Sequence, residues 1–390
     1  MKQYIKAKAL LESLKTIPDY RVDIGKIRYP LAEVLFMVIF ALLKGNTKFK
    51  EIFGWMTYNK DNQILKEIFK KEQIDIPSIS TLHRILTNTD NNALEKVFRK
   101  YFSNYAKKEN IAIDGKWLNG SDVNGQYTNE CHKAILNILD KDKKIVFAHK
   151  FMAKNKENEI TALKQAFDED DLFSDEGQIF SFDAIQTQTH ILNNINDNGD
   201  KYLAKVKGNQ KELKQKIVKT IETYKEPIDS YSFEDLGLSC GKKYVKREIE
   251  IFYSKSMDIA MYDDRFNNIQ TLIRVNKTLT DPKTKKQTFY SEYLIANFRT
   301  TAEDFYNKII SHWRVETYHY HLDMLMDEDE HIAYKEPYSI AILRSFALNL
   351  FQLYHNENKG KKLPTGKVTM AEIKRTCKYD DNFTIELFEC

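Results

Sequence analysis

The chain has 390 residues, enough for two or three domains at roughly 150 residues each and for a core that needs no disulfides. Its 60 Lys and Arg against 56 Asp and Glu leave a net charge of +4, too mild by itself to name a polyanionic partner. A hydrophobic fraction of 42% with 12% aromatics excludes a disordered chain.

Four cysteines, Cys131, Cys240, Cys377 and Cys390, stand too far apart for a CxxC knuckle, so no structural zinc site is expected. Such usage suits a reduced, cytoplasmic setting. Residues 1–19 mix lysines with scattered apolar residues and lack the apolar core of a signal peptide. The most apolar stretch, 29–43, contains Glu33 and falls short of the about 20 residues that cross a membrane. It reads as a buried helix opened by Pro30, and no membrane partner is expected.

Residues 1–107 read as a helical N-terminal domain. Leu31, Val34, Leu35, Val38, Ile39 and Leu42 repeat at helical spacing. Further helices are expected over 49–58, 61–71 and 90–107, and Ser78 or Ser80 caps another after Pro77. This series has two readings. One is a helix-turn-helix with Thr81, His83 and Arg84 on its recognition helix; the other is an ordinary bundle with Arg84 solvated.

From residue 108 the pattern changes. Apolar runs at 111–114, 132–139, 144–152, 178–183 and 201–207 read as strands, and 159–168 and 187–196 as helices. The order β-β-β-α-β-α-β over 108–210 matches a mixed α/β fold with a ribonuclease-H-like core. Residues 211–300 read as a basic helix and a β-rich insertion with strands over 244–253, 269–275 and 288–296. Residues 301–356 return to helix, over 302–320 and 338–356. Residues 357–390 read as a basic tail, since Lys359 to Lys378 holds seven Lys or Arg against one Glu. That tail suits either a phosphate-contacting arm or a solvated terminus.

Three acids are candidates for chemistry. Asp114 and Asp183 each end an apolar strand, and in such a core these strands lie side by side. Ligand sites of open sheets lie beyond strand ends, so the two carboxylates are expected to share a metal site. Hard oxygen donors without clustered cysteines favour Mg2+ or Mn2+ over zinc. Either Asp alone equally suits a turn, as Asp114-Gly115 does. The third acid is Glu316. On one continuous helix His312, Glu316, His319 and Asp323 form a single polar stripe, either solvated or turned into a site. No HExxH pattern accompanies it, so zinc is not expected. Three carboxylates around two ions about 3.5–4 Å apart bracket a scissile phosphate. Asp114 would bridge both ions, with Asp183 and Glu316 holding one each.

Several segments together carry a family resemblance. They are Asp19-Tyr-Arg, Gly25-Lys and Arg28-Tyr-Pro-Leu31; Pro77-Ser78 with Thr81 to Ile85; Ile111-Ala-Ile-Asp-Gly-Lys116; and Phe182-Asp-Ala184 with Gln186 to Gln188. Tyr202-Leu-Ala-Lys-Val-Lys-Gly-Asn-Gln210, His312-Trp-Arg-Val-Glu316, His319 to Asp323 and Glu328-Asp329 complete the set. Over roughly Ile17 to Phe351 the chain resembles the bacterial insertion-sequence DDE transposases, in the branch that includes the H-repeat-associated proteins. The resemblance puts the catalytic and metal-holding triad on Asp114, Asp183 and Glu316, with two Mg2+ or Mn2+ ions. It implies a ribonuclease-H-like catalytic domain, an insertion before the glutamate and DNA-end binding. It further implies cleavage at element ends, transfer of 3′-hydroxyl ends into target DNA, and a homo-oligomer on paired ends.

Two departures stand out. Trp117-Leu-Asn119-Gly-Ser121 lacks an arginine usual in the family, and Thr317 stands where Asn is usual. A repurposed nuclease and a non-catalytic DNA-binding regulator are therefore the alternative functions. Lys116 and Lys207 flank the expected metal site and suit phosphate neutralisation, ordinary surface charge being the alternative. Asn209 and Gln210 are expected to donate to the DNA backbone, and Arg84 and Arg314 complete the expected DNA contacts. Lys201, Lys205, Lys207, Lys211, Lys214, Lys216 and Lys219 suggest one basic side near the fifth strand.

Overall fold

The computed structural model describes residues 4–21, 27–118, 133–152, 157–168, 172–173, 177–239, 243–253, 266, 268–329, 336–364 and 366–390. Gly25, Asn119, Ser121, Cys131 and Cys240, which entered the sequence reading, lie outside the described residues. In chain order the first elements are α1 (Ile5–Leu14), α2 (Leu31–Leu43), α3 (Phe49–Tyr58), α4 (Gln63–Phe69), α5 (Ile79–Asn88), α6 (Asn91–Ser103) and β1 (Asn110–Leu118). There follow β2 (Lys133–Asp140), β3 (Ile145–Met152), α7 (Glu157–Phe167), β4 (Ile179–Phe182), α8 (Thr189–Asp197) and β5 (Lys201–Val206). Next come α9 (Lys211–Tyr224), β6 (Asp229–Ser239), β7 (Lys243–Tyr253), β8 (Thr271–Thr280) and β9 (Gln287–Ala296). The last are α10 (Ala302–His312), α11 (Arg314–Met326), α12 (Tyr338–Glu357), β10 (Lys362–Leu363), β11 (Gly366–Lys367), α13 (Met370–Tyr379) and α14 (Asp381–Glu389). Among the described residues no helix is long and apolar enough to cross a membrane.

The chain divides into two units. The first joins Met1–Lys107, Gly115–Asn158 and Val315–Cys390; the second joins Lys108–Asp114 and Glu159–Arg314.

In the first unit two helices are apolar on every side, which forces them inside. All of α2 is buried, Glu33 included, and that carboxylate is met by Lys71 at 2.7 Å. α12 is buried from Tyr338 to Tyr354 and packs against α2, α6 and β3. Its Asn349 is a polar cross-link: Oδ1 accepts from Val146 N–H (3.2 Å) and Tyr318 OH (2.9 Å), and Nδ2 donates to Val146 C=O (2.6 Å). Short helices start at side-chain caps. Ser78 Oγ accepts from Thr81 N–H, and Asp90 Oδ1 from Asn92 and Ala93 N–H. β2 and β3 form an antiparallel pair, with β2 between β3 and β1.

The segment 357–390, expected as a basic tail, is instead folded. In α13 and α14 Ile373, Cys377, Phe383, Leu387 and Phe388 are buried. Phe388 stacks on Phe36 with ring centroids 5.4 Å apart. Counting charge hid the helical spacing of these apolar residues.

In the second unit the strand order is β1-β4-β5-β9-β8-β7-β6. β1, β4 and β5 run parallel, and β9 adds antiparallel to β5. Together with β3-β2-β1 in the first unit, this is the ribonuclease-H-like order read from the sequence. The β-rich insertion has four long strands, one more than expected. The extra one, β6, is an edge strand whose polar alternation masks it. Ser230, Ser232 and Glu234 are exposed, and Tyr231 turns partly inward. The helix expected over 302–320 is also corrected. α10 stops at His312, Trp313 N–H bonds back to Ile310 C=O (3.2 Å), and α11 begins at Arg314. This tight closure removes His312 from the polar stripe.

Phe388→Ala is expected to destabilise the first unit by about 3–5 kcal/mol. The check is an earlier urea midpoint for amide exchange in α2 and α14.

Candidate active site

Parallel pairing sets the level of two acids in the second unit. Ala112 of β1 pairs with Ser181 of β4. Two residues further along come Asp114, inside β1, and Asp183, just after the end of β4. Alternation puts them on the same face as Ala112 and Ser181. Ser181 Oγ donates to Ile111 C=O (3.2 Å) and lies 2.9 Å from His312 Nδ1. The C-terminal end of α10 therefore covers this face just before the two carboxylates.

Burial alone would raise the pKa of Asp183; the Ala184 N–H, Lys207 and Lys205 outweigh burial and hold the carboxyl below the usual range. Lys207 Nζ stands 3.4 Å away and is exposed. Beyond it the turn Gly208–Gln210 locks onto the loop after β4. Asn209 Nδ2 donates to Ala184 C=O (2.7 Å), and Gln210 Nε2 to Ala184 and Thr187 C=O (2.9 and 2.7 Å). Both amide groups expected to face DNA thus serve the protein backbone. Thr187 Oγ1, buried, closes the same loop on Lys205 C=O (2.8 Å).

The remaining predicted residues lie mostly in the first unit. Glu316 is exposed in the first turn of α11. Lys116, expected at a phosphate, is 7% exposed. Its ammonium pairs with Asp323 (2.6 Å), Asp329 (3.3 Å) and Glu328 (3.7 Å). Burial would lower its pKa, but the three carboxylates outweigh that and raise it. Burial raises the pKa of Glu328 against the pull of Lys116 and Arg344, and Asp323 and Asp329 push the same way as burial. His319 lies 2.8 Å from Asn137 Nδ2. Burial, then Lys116, push its pKa down to about 3. Arg84 is exposed on α5 and donates to Thr81 Oγ1 (3.2 Å). Arg314, in the second unit, is the partly buried first residue of α11.

Asp114 and Asp183 offer hard oxygen donors, which suits Mg2+ or Mn2+. Among the described residues no three His, Cys, Asp or Glu side chains stand close enough together to hold a metal ion. The sequence reading missed the roles of Ser181 and Thr187. Their only signal is a hydroxyl inside or just after an apolar strand.

Removing the Lys116 charge leaves buried carboxylates short of a partner. Lys116→Met is expected to cost about 3–5 kcal/mol, with part recovered in Lys116→Met/Glu328→Gln, read from denaturant midpoints. His319 and the buried His149, also pushed down to about 3, are neutral when folded and protonate near the ordinary 6.5 when unfolded. Their contribution is complete above pH 6.5 and falls as pH drops from there toward 3. His149→Leu should flatten that slope in urea midpoints measured against pH.

A family model described as DDE_Tnp_1-associated matches residues 11–102. YncI of Escherichia coli O157:H7, named a candidate transposase, is 26% identical over 390 residues, covering 95% of each chain. The H repeat-associated YhhI of Escherichia coli (strain K12), also named a candidate transposase, is 25% identical and covers 83% of this chain and 84% of its own. Among solved structures, a piggyBac transposase synaptic complex with hairpin DNA aligns with a TM-score of 0.49 at 11% identity, covering 100% of this chain and 81% of its own. In sequence the chain is thus similar to bacterial proteins named as candidate transposases, H repeat-associated ones among them.

Proposed function

We propose that this chain is a metal-dependent DNA transposase that cuts at element ends and joins 3′-hydroxyl ends to target DNA, with Asp114, Asp183 and Glu316 as its catalytic acids. The observation that carries the reading is the pairing of Ala112 of β1 with Ser181 of β4: two residues on, Asp114 inside β1 and Asp183 just after β4 follow where this parallel pairing ends, the side on which open sheets bind ligands. Two links along the chain support Glu316 as their companion. Lys116, two residues beyond Asp114, pairs with Asp323 of α11, the helix that carries Glu316. His312, bonded to Ser181, precedes Glu316 by four residues, a span of at most about 14 Å.

The three acids would hold two divalent ions, which when bound supply an activated water or 3′-hydroxyl and charge neutralisation at the leaving oxygen. The protein's own groups prepare that chemistry. Against burial, the Ala184 N–H, Lys207 and Lys205 hold the Asp183 carboxyl below its usual range, and Lys207, exposed beside it, is placed to approach a phosphate. The exposed Lys201, Lys211 and Lys219 extend a basic side along which a DNA backbone is held. Binding rests on phosphate contacts and cutting on the acids, so the two are separable.

The test incubates purified protein with Mg2+ and DNA carrying the repeats that flank its gene. Nicked ends that become joined to target DNA are expected. Asp114→Asn, Asp183→Asn and Glu316→Gln should each slow nicking on the order of 1,000-fold, from the several kcal/mol that metal catalysis supplies, with binding retained. Ends bound but never nicked by the wild type would sink the proposal. Ends nicked but never joined would mark a nuclease.

A further inference from the structure

α10 lies on the second unit's sheet through an apolar stripe. Phe305, Ile309 and Ile310 pack on a buried cluster that includes Ile249, Val275 and Leu294 of β7, β8 and β9. Trp313 is next on that stripe, four residues after Ile309. Beneath it the sheet turns cationic. Arg247 of β7 and Lys277 of β8 stand directly opposite one another, on the same face as Ile249 and Val275. Like charges directly opposite repel, so something must offset them there. Both sit over the Trp313 indole, the guanidinium carbon 5.0 Å and the ammonium 5.6 Å from the ring centroid, within reach of its electron-rich face. Glu292 adds a carboxylate 2.9 Å from Lys277. Arg247 is 5% exposed, and its Nε has no hydrogen-bond partner among the described residues.

Trp313 is also where α10 ends, and Glu316 is three residues further. We propose that Trp313 is a positioning residue: the inserted strands grip its indole through Arg247 and Lys277 and so set the helix break from which the Glu316 helix departs. This rests on the reading of Glu316 as a catalytic acid. It gives the insertion a task in the second unit, anchoring the break by a charge-on-ring contact that a merely apolar side chain does not make.

The test compares wild type, Trp313→Leu, Trp313→Phe and Lys277→Met in end nicking, DNA binding and amide exchange. Trp313→Leu is expected to slow nicking about 100-fold, the cost of a misplaced catalytic group, with DNA affinity unchanged. Exchange over 311–318 should quicken roughly tenfold as the ring contacts are lost, while β7 and β8 stay protected. Trp313→Phe, which keeps a ring face, should recover most of the rate, and Lys277→Met should fall between. Wild-type nicking by Trp313→Leu overturns the proposal, and so do equal rates for the Leu and Phe variants. If the wild type itself fails to nick, the catalytic reading falls and exchange decides alone. Lost protection over 311–318 in Trp313→Leu then supports the anchor, and unchanged protection overturns it.

Discussion

An ammonium taken out of water must be met by carboxylates, and Lys116 answers that demand with three. The consequence is architectural. β1, whose earlier half ends in Asp114, is bonded through Lys116 to α11 and to the segment after it. A charge cluster of this kind is a weak source of net stability, because desolvation offsets much of the attraction. Its value is directional, since a strand two residues out of register would leave the ammonium unpaired. The lysine that follows the first aspartate therefore belongs to the framework, and the exposed cation beside the carboxylates is Lys207.

The face of the second unit's sheet continues this use of charge. Asp183 just after β4, Lys205 on β5, Glu292 on β9 and Lys277 on β8 alternate in sign. Glu292 stands 3.2 Å from Lys205 and 2.9 Å from Lys277. Burial would raise the Glu292 pKa, but the two lysines outweigh it and hold it low. The insertion thus joins the core sheet by ladder bonds and by a row of paired charges that begins at a catalytic candidate. Its strands extend the sheet that carries Asp183.

Much of this architecture was legible because it is local. Short apolar runs marked β1 to β5, and their order named the core. Asp114 and Asp183 were chosen because each ends such a run, and the pairing of Ala112 with Ser181 precedes both by two residues. Less local features escaped. β6 hid because an edge strand buries little. α13 and α14 hid because Lys359 to Lys378 holds seven Lys or Arg against one Glu, while Ile373, Cys377 and Phe388 find partners only in the fold. Asn209 and Gln210 read as donors to DNA, yet their amides are used by the carbonyls of Ala184 and Thr187.

The amino-acid order by itself determined the succession of helices and strands, the acids at strand ends and the family likeness, because periodicity and motif spacing are properties of neighbours in the chain. Only the tertiary structure decided that Lys116 is buried, that the helix breaks at Trp313 and that the C-terminal segment folds. Each depends on groups far away in the chain: carboxylates for an ammonium, cations for an indole, and an aromatic wall for Phe388. Desolvation and packing are paid or repaid only when those partners meet.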